Sequence, residues 1–155
     1  VQHFGGNAVH FVQTVANGSS TLAGYGKLNE AVKKLLAVNV PLEKIGYMYS
    51  PTAWQQMNDL ADLSNQPLMM PEGLKDLPGF VSSAVLETYD TSTTTRMYFG
   101  DWSNLLVATA GGPRIQILRE RYAYDLETGF VVYLRLDHQF IRRDNFCILT
   151  GIELA

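Results

Sequence analysis

Apolar positions change their spacing along this chain, and the change divides it into helical and extended stretches. From Gly24 to Val38, Tyr25, Leu28, Val32, Leu35 and Leu36 recur at three- and four-residue steps, with Lys27, Glu30, Lys33 and Lys34 between them. That spacing predicts a helix with one buried stripe. Asn39-Val40-Pro41 ends it, because proline cannot continue the ladder and restricts the residue before it. Ile45–Tyr49 reads as a short strand. Ser50-Pro51 then opens a second helix, with serine as the cap and proline at a position whose N–H would be unpaired anyway. Trp54, Met57, Leu60 and Ala61 form its expected buried stripe.

Further on, the period falls towards two. Arg96–Phe99, Leu105–Thr109 and Arg114–Leu118 read as short strands, broken by Gly100-Asp101 and by Ala110-Gly111-Gly112-Pro113. Glycine and proline supply the backbone angles such breaks need. A further break at Asp125–Gly129 precedes the longest predicted strand, Phe130–Asp137. Val131, Tyr133, Arg135 and Asp137 would share one face of it, and Phe130, Val132, Leu134 and Leu136 the other, apolar one. That apolar face must pack on something. Phe80–Glu87 is another expected strand, Asp90–Thr95 a flexible hairpin tip, and Arg142–Ile152 the tail. At the other end, Ala8–Val15 is strand-like and Asn17-Gly18-Ser19-Ser20 a turn. Ser64–Gly79 is punctuated by prolines and glycines and reads as a loop; Leu68, Met69 and Met70 within it fit either a protein–protein surface or a fold back onto the core. The expected class is α+β: a mixed or antiparallel sheet with flanking helices, plus a long β extension.

Composition narrows the function. Hydrophobic residues make up 46% of 155, enough for a packed core. The net charge of −3 argues against a binder that neutralises phosphates, so no specific nucleic-acid recognition is expected. No apolar run reaches the roughly 20 residues that span a membrane, and no charged-then-apolar leader opens the chain. Val1 in first place is expected of a fragment or a processed product. The single cysteine, Cys147, cannot form an internal disulfide and is expected in the core. His3, His10 and His138 are too scattered for a local metal motif, and Gly24-Tyr25-Gly26-Lys27 lacks the spacing of a phosphate loop. Asp101, Glu87 and Asp90 have no tuning partner nearby in sequence, and Asp101 is expected to satisfy turn amides. No serine sits in a nucleophile elbow. Catalytic, cofactor and metal residues are therefore assigned to none.

Charge is distributed unevenly. All five lysines lie at or before Lys75 and all seven arginines at or after Arg96. Arg114, Arg119, Arg121, Arg135, Arg142 and Arg143 fall near Glu120, Asp125, Glu127, Asp137 and Asp144. Arginine pairs with carboxylates in a planar fork and is enriched at interfaces. The candidate interface residues are thus Arg114, Arg119, Arg121 and Arg135, with Leu68, Met69 and Met70.

One order of motifs carries a resemblance. A strand followed by F-G-D-W-S, an apolar strand, a glycine turn, I-Q-I-L, a long alternating strand and D-N-F resembles the C-terminal portion of the major capsid proteins of tailed double-stranded DNA phages, the Hong Kong 97-type fold. Tyr47-Met48-Tyr49-Ser50-Pro51-Thr52-Ala53-Trp54 resembles the strand-to-helix step those proteins carry midway. The resemblance covers roughly Ile45 to Ile152. It implies a structural shell subunit, not an enzyme, which self-assembles into pentamers and hexamers of an icosahedral head that encloses DNA. It places the protein in the virion capsid, assembled in the host cytoplasm, with copies of itself as partners and scaffold or portal proteins as further ones. Residues 21–112 and 144–155 would be the axial-like domain and residues 113–143 the peripheral-like β extension, with residues 1–20 unplaced. The family's spine helix and extended loop would lie before Val1. An encapsulin-like nanocompartment shell shares the fold and is one alternative. A small α/β enzyme or ligand-binding domain, which requires a deep pocket with convergent polar groups, is another.

Overall fold

The computed structural model describes residues 13–88, 93–118, 124 and 127–154. The chain forms two compact units. One holds the described residues up to Asn104 and those from Arg142 onward; the other is Leu105–Ile141. The class is α+β, as expected.

The larger unit is built on five strands: β1 (Gln13–Ser20), β2 (Ile45–Tyr49), β3 (Gly79–Val81), β4 (Thr94–Asp101) and, after the second unit, β9 (Phe146–Glu153). Their order is β1-β9-β4-β2-β3. The central strand β4 is antiparallel to both neighbours, while β1 and β3 pair in parallel at the edges. Alternation sorts the side chains between two faces. Tyr47, Tyr49, Met97, Phe99, Cys147 and Leu149 join the main core, whereas Met48, Tyr98 and Ile148 point the other way, towards Val85 and Trp102.

The main face is covered by α1 (Gly26–Ala37) and α2 (Pro51–Asn58). Leu28, Ala31, Val32 and Leu35 of α1 are buried, while Leu36 stands at the rim. The helix stops four residues before the proline, at Ala37, with Asn39 in the left-handed region (φ 61°) and its N–H bonded to the Leu36 carbonyl. Ser50 caps α2 as its sequence predicts: its Oγ accepts from the Ala53 N–H at 3.2 Å. That oxygen also lies 3.1 Å from Thr95 Oγ1, which bonds the Leu86 carbonyl. A buried hydroxyl pair thus fixes where α2 starts above β4.

Several boundaries differ from the sequence reading. β1 runs through Asn17–Ser20, where a turn is expected, because Gly18 (φ 79°) absorbs a shift in register against β9. The start of the expected strand at Ala8 lies outside the described residues, as does the first half of the expected tip at Asp90–Thr95, of which Thr94 and Thr95 are already part of β4. Phe80–Glu87 is not one strand. β3 ends at Val81, and a turn closed by Ser82 tucks Val85 against Tyr98 and Ile148. Trp54 leaves the buried stripe of α2 and is 50% exposed, and Ala61 is exposed as well. Gln56 turns inward instead, accepting from Leu22 N at 3.1 Å and donating to the Glu153 carbonyl at 2.6 Å. A polar residue with two buried backbone partners can lie in a core.

Gly100 marks the tightest crossing in the sheet. A Cβ there would enter the Phe146 ring and come within 2.8 Å of the Asn145 carbonyl oxygen. Both neighbours are buried, and the backbone cannot yield cheaply. Gly100→Ala is therefore expected to destabilise the fold by about 1–3 kcal/mol through overpacking. Urea unfolding would show this as a lower midpoint at unchanged slope.

Candidate assembly surfaces

The second unit consists of two separate two-stranded ribbons. β5 (Leu105–Thr109) pairs with β8 (Leu136–Phe140), and β6 (Arg114–Leu118) pairs with β7 (Gly129–Tyr133), both antiparallel. The expected single strand Phe130–Asp137 is therefore two strands. The chain leaves one ribbon for the other at Leu134-Arg135, and side-chain alternation does not register that switch. β5 also belongs here, because its partner is β8, and the unit begins at Leu105.

Opposite residues in an antiparallel ladder share a face. In the β6–β7 ribbon Ile115 faces Val132 and Ile117 faces Phe130, four apolar side chains on one surface. All four are between 50 and 69% exposed. The other face is open too, with Val131 and Tyr133 exposed. An isolated two-stranded ribbon is marginal in water. Contiguous apolar surface of this kind is typical of protein, membrane or ligand contact sites. Covering these four would contribute about 1–2 kcal/mol each, given that a fully buried side chain of this size is worth roughly 1.5–3 kcal/mol.

Arg114 and Arg135 come together in this unit, lining a small cleft with Ala110, Gly112 and Tyr133. The cleft is shaped by the glycine turn: Gly111 takes φ 77°, and the Ala110 N–H donates to the Arg135 carbonyl at 3.1 Å. No carboxylate lines it among the described residues. Among the described residues the one ion pair is Lys27–Glu30, on the surface of α1. Neither Arg114 nor Arg135 pairs with a carboxylate among the described residues. Arg119 and Arg121 lie outside the described residues.

Leu68, Met69 and Met70 belong to the larger unit and split between the two roles weighed for them. The loop base is anchored to its own core: the Leu68 N–H donates to the Leu60 carbonyl at 2.8 Å, and Met70 packs against the core cluster. Met69 points away and is 91% exposed. The three line an open groove of about 320 Å³ with Tyr25, Tyr49, Trp54 and Met57. Burial pushes the Tyr25 and Tyr49 phenols above their usual range, so they carry no charge here. Trp54 is the residue the sequence misplaces.

Carboxylates weighed for chemistry have structural partners. Asp101 accepts from Ser103 N at 3.1 Å, Ser103 Oγ at 2.5 Å and Asn104 Nδ2 at 2.7 Å. It closes the turn where the chain leaves the larger unit, as the F-G-D-W-S pattern suggests. Glu87 accepts from Thr52 Oγ1 at 2.5 Å, and Asp90 lies outside the described residues. Cys147 is fully buried, and desolvation pushes its thiol up to about 11.

This arrangement has close counterparts in known proteins. The family model described as the phage capsid family matches residues 6–151. The chain belongs to the phage capsid family. Solved structures share the fold of this capsid-family chain at low identity. A structure from Gordonia phage Cozz superposes with a TM-score of 0.67 at 13% identity, over 92% of this chain and 50% of that one. The capsid of an empty GTA particle computed with C5 symmetry gives 0.65 at 14%, over 88% and 49%. The holo-SrpI encapsulin complex of Synechococcus elongatus gives 0.55 at 11%, over 92% and 54%. The capsid-family chain therefore spans about half the length of the structures it matches. No curated protein matches it in sequence.

Proposed function

We propose that this chain is a shell-forming subunit of a phage or prophage head, which works by self-assembly and not by catalysis. The observation that carries the reading is the β6–β7 ribbon, with one apolar face uncovered in a chain of the phage capsid family. The larger unit would serve as the axial-like domain around capsomer axes, and the ribbons as the peripheral-like extension that meets neighbours. Pentamers and hexamers of this subunit would close the head in the host cytoplasm, with scaffold or portal proteins as further partners. A five-fold arrangement is named for one structural neighbour. Shells of this kind spread association energy over many modest contacts, and closure makes the sum effectively permanent.

An encapsulin-like nanocompartment is the second reading, favoured by the likeness to the encapsulin complex. The phage structures superpose better, and the matching family is that of phage capsids.

Negative-stain electron microscopy of the full chain, expressed alone and with a scaffold protein, tests the proposal. Closed shells or capsomer rings are expected. A small monodisperse species under both conditions would overturn it.

A further inference from the structure

The larger unit carries two apolar features that are complementary and that the fold leaves apart. One is the open groove, whose walls include Tyr25, Tyr49, Trp54, Met57 and Met69 and whose one charged lining residue is Lys75. Two of its polar groups are already committed. The Tyr25 hydroxyl donates to the Met57 carbonyl at 2.9 Å, and Asn58 Nδ2 to the Trp54 carbonyl at 2.8 Å. A small polar metabolite would find few directional partners there. An apolar side chain on an acidic support would suit both the walls and the lysine.

The other feature has that description. The tip Asp62–Gln66 is fixed by its own hydrogen bonds. Asp62 N donates to the Gln66 carbonyl at 2.8 Å and Asn65 N to the Asp62 carbonyl at 3.0 Å. Asp62 Oδ1 accepts from Ser64 N at 2.8 Å and Gln66 N at 2.9 Å. Asn65 takes the left-handed conformation the turn needs (φ 58°). On this hydrogen-bonded tip Leu63 is fully exposed, next in sequence to Asp62, and Asp59 and Asp62 are exposed as well. A preordered knob loses little entropy on docking.

We infer that the Leu63 tip of one copy seats in the Trp54–Met69 groove of the next copy, with Lys75 facing the acidic flank of the tip. The inference rests on the self-assembly reading above. The base of the loop is held by the Leu68–Leu60 bond and the Ala61–Pro67 bridge, and Leu63 is not part of its own groove. Knob and groove are different patches of one surface, so the contact is head-to-tail and closes into a ring when the rotation permits.

The test co-expresses full-length chains carrying Leu63→Cys with differently tagged full-length chains carrying Met69→Cys. Both side chains are exposed, so neither change threatens the fold, and Cys147 is buried and protonated. Mild oxidation of the assembled particles is expected to convert monomer into a mixed covalent dimer bearing both tags, while particles of either variant alone stay monomeric on the gel. Normal particles with no mixed dimer would overturn the docking and leave the shell reading intact. Same-tag dimers in particles of a single variant would also overturn it, because the patches would then meet symmetrically. Failure of the unsubstituted chain to form particles at all would remove the shell reading and this inference with it.

Discussion

Aspartate at both Ile115 and Val132 is expected to abolish particle formation in the full chain while leaving the larger unit folded. The two residues face each other across the β6–β7 ribbon and share its exposed apolar surface with Ile117 and Phe130. In solution both positions already meet water, so the cost is confined to repulsion between two opposed carboxylates within the ribbon. In an assembled particle each carboxylate would be sealed against apolar surface without a partner, a penalty of at least several kcal/mol per site. The gain from covering the native face is only about 1–2 kcal/mol per side chain, scaled from roughly 1.5–3 kcal/mol for full burial, so the balance changes sign. Sedimentation should show loss of the fast-moving particles. The thermal transition of the larger unit should stay within a degree or two of the parent, because none of its core residues is touched. Particles at normal yield would mean that this face stays wet in the shell.

The second large effect lies in the core. Phe99→Ala should destabilise the larger unit by about 3–5 kcal/mol, the usual range for a buried phenylalanine. Phe99 is fully buried at the middle of the central strand, stacked on Tyr47 at 5.5 Å and in register with Cys147 on one side and Tyr47 on the other. Domains of this size have only about 5–15 kcal/mol in hand. The variant should therefore unfold at a much lower urea midpoint. A loss below 1 kcal/mol would show that neighbouring rings collapse into the space.

Elements whose sequence carries its own local instruction were legible. α1 and the Ser50-Pro51 start of α2 are set by period and capping chemistry, and β2 falls on the residues its apolar run predicts. The glycine turn before Arg114 and the Asp101 clasp follow from residues that act within a few positions of themselves. Features decided by distant partners were not. Nothing near Gln56 announces that Leu22 and Glu153 will satisfy it, so Trp54 took its place in the expected stripe. The break at Leu134-Arg135 is set by which strand each half pairs with, and the alternation continues through it. Of the candidate surface residues, Arg114 and Arg135 share a cleft and Met69 is outward, but that no described carboxylate lines the cleft is visible only in three dimensions.

The ribbons leave the sheet through one corner. β4 ends at Asp101 and β9 begins at Phe146, and Gly100 and Phe146 are register partners, so the outgoing and returning chains start side by side. A force that draws the two legs apart would therefore act across the β4–β9 ladder and open it from that end, one pair at a time, instead of sliding the strands past each other. Unzipping is the mechanically weak direction for a sheet, because the bonds break in sequence and never together. Side-chain hydrogen bonds anchor each leg beside that end of the seam: Asp101 ties Ser103 and Asn104 of the outgoing leg, and Gln13 of β1 ties the Asp144 carbonyl of the returning one.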